Sequence, residues 1–224
     1  MKQGMRAAVA LALAALLLPG VASAHPHMWI SQTVRVVAKD GKYTHVEIEW
    51  KFDPESSDDE IPAIDEDKDG KISPKELELL ARDTMASLEK FGFQTWLNTG
   101  GKDFQPVKAT VFTARIESPA TFTPPDWDRS VGDGEKMPAN KRQEMPAAPR
   151  AGPPRNLVYT FRFTLPQPTN TFSITTYDSE DFIRFEVDKA KLPAGCRLDK
   201  HPTYKSEFVP GQPVFADRVS CRHP

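Results

Sequence analysis

Three kinds of hydrophobic spacing run along this chain, and each predicts a different element. The first is an unbroken apolar run from Ala7 to Leu18. It lies behind Lys2 and Arg6 and is followed by Pro19, Gly20 and the small-residue pattern Ala22-Ser23-Ala24. That order predicts a secretory signal peptide over residues 1–24, cleaved after Ala24. The run is short for a membrane span. The second spacing has period two. Ile30, Val34 and Val36 share one parity, interrupted by Gln32, and Asp40-Gly41 is a hairpin-turn signal. From Tyr43 to Phe52, Val46, Ile48 and Trp50 face one side while His45, Glu47 and Glu49 face the other, which predicts a hairpin with one wet face. Leu157 to Leu165 alternates in the same way, and Phe93 to Leu97, Val107 to Ile116, Thr171 to Tyr177 and Phe182 to Val187 complete the strand set. The third spacing is helical. Leu77, Leu80, Ala81, Thr84, Met85, Leu88 and Phe91 recur over Pro74 to Phe91, and Gly92 supplies a stop.

The stretches between carry other expectations. Asp53 to Ile64 is acidic and holds Pro54 and Pro62, so any helix there is expected to be short or distorted. Residues 117–156 are rich in Pro, Gly, Ala and charge, with no periodicity, and read as a flexible insertion between two strands. Leu192 to Pro224 reads as loop-rich. The fold class predicted is α+β: an antiparallel β-rich domain with one principal helix that follows an EF-hand-like loop. Residues 25–224 form a single exported domain in this reading.

Charge and cysteine narrow the function. The formal net charge is −2 and basic residues are scattered, without the Lys/Arg stripe that a nucleic-acid partner needs. No later apolar run approaches a membrane span, so the mature chain is expected to be a soluble periplasmic protein. In an oxidising compartment the two cysteines, Cys196 and Cys221, are expected to form one disulfide. A thiol metal site is the alternative, without CxxC-type spacing to support it. No nucleophile elbow, phosphate loop or HExxH pair is present. Asp178, Glu180 and Asp181 read as a solvated hairpin tip rather than an acid/base pair, and an enzyme is not expected.

Two stretches carry metal chemistry. Residues 65–76, DEDKDGKISPKE, fit a twelve-residue calcium loop position by position. Asp65, Asp67 and Asp69 take positions 1, 3 and 5, Gly70 position 6, Lys71 position 7, Ser73 position 9 and Glu76 position 12. Calcium is a hard cation that takes six to eight oxygens at roughly 2.3–2.6 Å, which alternate residues of a tight loop can supply. Lys71 offers its carbonyl, and Ile72 is the apolar residue that pins the loop. The competing reading is a solvated acidic turn before a helix, with Ser73 and Glu76 as a capping box and Pro74 at the first helical position. That reading leaves Asp65, Asp67 and Gly70 unexplained. Only one such loop is present, whereas EF-hands usually work in pairs, which points to a structural site rather than a sensor.

Cleavage after Ala24 makes His25 the first residue. Its α-amine and imidazole can chelate one metal, His27 can add a nitrogen, and His45 is a further candidate; such donors suit nickel, cobalt, copper or zinc. An exposed tail that happens to carry two histidines is the alternative. A copper-dependent redox enzyme built on the terminal amine is a second, and a structural or interaction protein that binds calcium only is a third. His201 and His223 lie too far along the chain to place.

Several stretches together carry a family resemblance. They are AHPHMWI at the predicted mature start, VEIEWKFD, DEDKDGKISPKEL, FGFQTWL, FRFTLPQP, YDSEDFIRFE and PAGC. In this order the chain resembles a domain-of-unknown-function family of bacterial exported proteins, labelled as the periplasmic component of an uncharacterised ABC-type transport system. Members of that family often stand beside nickel/cobalt exporters. The resemblance implies a periplasmic accessory role in transition-metal handling, with an inner-membrane permease or exporter as partner.

Overall fold

The computed structural model describes residues 28–106, 108–122, 152–209 and 211–223. The predicted signal peptide, His25, His27 and residues 123–151 of the predicted insertion lie outside them. The described chain forms β1 (Met28–Lys39), β2 (Lys42–Phe52), α1 (Pro54–Ile64), α2 (Pro74–Lys90), β3 (Thr95–Asn98), β4 (Val111–Glu117), β5 (Asn156–Thr169), β6 (Thr171–Thr176), β7 (Ile183–Val187), β8 (Cys196–Val209) and β9 (Gln212–Arg222). Two sheets result, ordered β4-β5-β2-β1-β7 and β3-β6-β9-β8. No helix among the described residues is long and apolar enough to cross a membrane.

The period-two residues build the core. Asp40 and Gly41 both take positive φ, 53° and 70°, as the tight turn between β1 and β2 demands. Val46, Ile48 and Trp50 of β2 line up with Phe163, Phe161 and Tyr159 of β5 across the ladder, and all six are buried. Leu97, Phe172, Ile174 and Val219 of the second sheet join the same cluster. Only Asn170 separates β5 from β6, so one nearly continuous ribbon leaves the first sheet and enters the second. Gln32, which broke the alternation of β1, faces inward opposite Trp50 and is buried.

Four expectations are corrected. The described residues form two α-helices, not one principal helix, because Asp53 caps α1 by accepting from the Glu55 and Ser56 amides, 2.9 Å each. Pro54 sits at the helix start, where no partner for an N–H is needed, and Pro62 removes one bond only near the far end. The first sheet is mixed rather than antiparallel, since β7 runs parallel to β1. The C-terminal stretch is a long hairpin, β8 with β9, not loop. Its alternation is scrambled by a bulge between Lys200 and Lys205. Lastly, β4 begins at Val111.

The outward face of the first sheet is polar but not simply wet. Glu49 is 4 % exposed and lies 3.1 Å from both Arg35 and Arg115. Glu47 meets Arg35 and Arg162, and Lys51 meets Glu117 at 2.7 Å. The charged side chains thus cover one another. The expected disulfide is present: Cys196 and Cys221 stand opposite each other on β8 and β9, with Cα atoms 4.0 Å apart.

Candidate metal centre

The acidic loop joins the two helices, and each helix end supplies part of it. Asp65 is the residue that closes α1, its N–H bonded to the Ile61 carbonyl at 2.9 Å. Ile61 and Ile64 are buried, so the end of α1 is fixed in the core. On the far side Ser73 caps α2 and Glu76 completes a capping box. Ile72 packs against the core between them. The loop therefore hangs from two anchored helix ends.

Inside it the backbone wraps around carboxylates. Asp65 Oδ1 and Oδ2 accept from the Asp69 and Gly70 amides at 3.1 and 3.0 Å. Asp67 Oδ1 accepts from the same Asp69 amide at 3.1 Å. Lys68 and Gly70 take φ of 60° and 79°, which tightens the coil; glycine reaches that conformation without the steric cost of a Cβ. Glu76 reaches back across the loop, with Oε1 on the Glu66 amide and Oε2 on the Ser73 amide, both at 2.8 Å.

The result is a cluster. Asp65, Asp67 and Glu76 each bring an oxygen within 4.8 Å of the others, the one such group among the described His, Cys, Asp and Glu residues. Asp65 and Glu76 are 3 % and 6 % exposed. The Glu76 carboxyl is held below its ordinary range first by the Ser73 amide, then by the Ser73 hydroxyl, with the Glu66 and Asp67 amides adding to this against the opposing effect of burial. It stays ionised at more acid pH than a free glutamate. Carboxylates gathered this closely repel one another. A divalent cation between them reverses the sign.

The other predicted ligands divide. Asp69 spends Oδ1 on the Lys71 amide at 2.8 Å and is not gathered with the three. Ser73 Oγ accepts from the Glu76 amide at 3.4 Å, as the capping-box reading expects. Capping accounts for Ser73 and Glu76, but not for Asp65 and Asp67. The Glu66 amide on Glu76 was not read from the sequence, because a backbone donor leaves no residue-type signal.

The histidines are dispersed. His45 lies on the outward face of β2 with Nδ1 2.9 Å from Thr44 Oγ1. His201 is buried, its Nδ1 accepting from the Thr203 and Tyr204 amides and its Nε2 at 3.2 Å from Asp103. Nδ1 is thus committed to the bulge of β8 and Nε2 to the segment that follows β3. The His223 ring packs against the edge of Tyr43.

No curated protein and no solved structure matches this sequence. A family model does, over residues 10–210, which is most of the chain. The chain belongs to the DUF1007 family of proteins of unknown function.

Proposed function

We propose that this protein is a non-enzymatic periplasmic accessory of a transition-metal transport system, with one structural calcium site in its EF-hand-like loop. The observation that carries the calcium reading is the convergence of Asp65, Asp67 and Glu76 between two anchored helix ends. Hard carboxylate oxygens favour calcium over a soft-ligand metal. The Lys71 carbonyl, Ser73 and the outer oxygen of Asp69 lie on the same loop to complete the ligand set. Calcium there neutralises the buried carboxylates and fixes the angle between α1 and α2.

Calcium at about one hundred times its dissociation constant is expected to stabilise the fold by about 2.7 kcal/mol. For a chain of this size that raises the melting temperature by roughly 5–10 °C. Asp65→Ala is expected to abolish both the shift and the calorimetric binding signal. An unchanged melting curve in calcium removes the reading.

The transport role rests on the family resemblance and on His25 and His27, which follow the predicted cleavage site. Nickel, cobalt, copper and zinc are the metals their donors suit, and a metal permease or exporter of the inner membrane is the partner. Correctly processed protein is expected to bind these metals more tightly than protein carrying one extra residue before His25. Equal affinity in calorimetric titrations excludes the terminal amine as a ligand.

A further inference from the structure

The outward face of the second sheet holds a trough that the calcium loop does not use. Its floor follows from strand register. Asn98, Ser173, Ser220 and Arg197 stand in one row across β3, β6, β9 and β8, and Thr171 and Arg222 form the next row. The opposite parity, Leu97, Ile174 and Val219, is buried in the core. On the two central strands the trough floor is thus Thr171 and Ser173 of β6 and Ser220 of β9, with Arg222 of β9 at one end.

Both rims are built by turns. On the β3 side Asn98 Oδ1 accepts from the Gly100 and Gly101 amides at 2.9 and 3.1 Å, which curls that loop upward. On the β8 side Gly195 lies against β9, its carbonyl accepting from the Arg222 amide at 2.9 Å. A Cβ at Gly195 would sit 2.6 Å from the Arg222 carbonyl oxygen, so only glycine allows this approach. The disulfide ties the two strands together directly beneath. The trough between the rims encloses about 580 Å³, a volume typical of small-molecule sites.

Its chemistry is one-sided. The lining carries Arg197 and Arg222 and three hydroxyls, and no carboxylate, in a chain whose acidic residues outnumber its basic ones. Two acids stand beside the lining and both are engaged: Asp199 is shared by Arg197 at 2.9 Å and Arg218 at 3.8 Å, and Asp103 accepts from the Asn98 side-chain amide at 2.8 Å. Among the described residues the Arg222 guanidinium and the Ser173 and Thr171 hydroxyls have no side-chain partner. A planar guanidinium fork matches a carboxylate or phosphate, and hydroxyls on a rigid floor match further hydroxyls.

We propose that this trough binds a small hydroxylated acid, a sugar or polyol bearing one carboxylate or phosphate, with Arg222 and Arg197 on the anion and Ser173 and Thr171 on its hydroxyls. The test is an amide NMR titration of the whole protein with glucose 1-phosphate, glucuronate and glucose. One or both anions are expected to shift the Ser173, Ser220 and Arg222 signals saturably, and neutral glucose at the same concentration is not. Arg222→Ala is expected to weaken the binding about tenfold or more, as loss of a charge-assisted hydrogen bond implies. Ser173→Val, which keeps strand propensity, is expected to weaken it less, and supplies the same reading if the arginine variant does not fold. Equal shifts with glucose, no saturation by either anion, or affinity unchanged in these variants overturns the proposal.

Discussion

Phe161→Ala is expected to destabilise the fold by about 4 kcal/mol, the middle of the range for truncating a fully buried aromatic. Phe161 is 0 % exposed and stands at the centre of β5. Its ring lies 4.9 Å from Trp50, 5.4 Å from Phe93 and 5.4 Å from Phe112. Those neighbours come from β2, from the turn before β3 and from β4. The cavity left behind therefore touches three separate parts of the chain, which cannot all collapse into it at once. At about 2–4 °C per kcal/mol for a chain of this size, the melting temperature falls by roughly 8–16 °C. Phe161→Leu, which refills most of the volume, is expected to cost less than half as much. Urea titration measures both. A loss below about 1.5 kcal/mol for the alanine variant would mean that the core closes over the gap, contrary to the packing described.

The second large effect is expected at Asp53, where one carboxylate serves two elements. Oδ1 accepts from the Glu55 and Ser56 amides at the start of α1. Oδ2 accepts from the Trp29 amide at 2.9 Å and the Ser56 hydroxyl at 2.7 Å. Asp53 is 4 % exposed, so water does not replace these bonds freely. Losing the cap costs about 1–2 kcal/mol. Leaving the Trp29 amide without its acceptor costs about 1–3 kcal/mol more. Asp53→Ala is thus expected to lose about 2–5 kcal/mol in sum. Asp53→Asn separates the terms, because one amide oxygen can serve the cap or Trp29 but not both sets. It is expected to fall between wild type and alanine. Hydrogen exchange at the Trp29 amide reads the second term directly, and unchanged protection in Asp53→Ala would exclude the clamp.

The sequence made some of this visible and hid the rest for identifiable reasons. The β1–β2 turn was legible because Asp-Gly is among the few pairs that tolerate two positive φ values. β5 was legible because five apolar residues at strict alternation leave one face to bury. α2 announced itself by period and capping residues together. α1 was obscured because Pro54 and Pro62 read as breakers, although a proline at a helix start does no harm and one near its end removes little. The β8–β9 hairpin was obscured by its own bulge, where the pairing slips between Lys200 and Lys205 and the period of two is lost. The pairing of β1 with β7 could not be read at all, since alternation shows that a strand has a buried face and says nothing of its neighbour. In the candidate metal centre the three converging carboxylates follow from loop spacing. The backbone amides that orient them do not, because every residue type carries one.

That parallel pair, β1 with β7, bears on how the chain reaches its native state. Met28 pairs with Ile183, so the partner lies about 150 residues downstream. The β1–β2 hairpin is local and can close within microseconds. Its far edge then stays open until the last third of the polypeptide is present. Contacts of such long sequence separation slow folding, since the loop entropy is lost before the pairing is gained. For that interval the outer edge of β1 offers unpaired amides and carbonyls to any other extended chain. Crowded, newly made copies are most exposed to mispairing along this edge, and a holdase that shields Met28–Gln32 would protect the protein until β7 arrives.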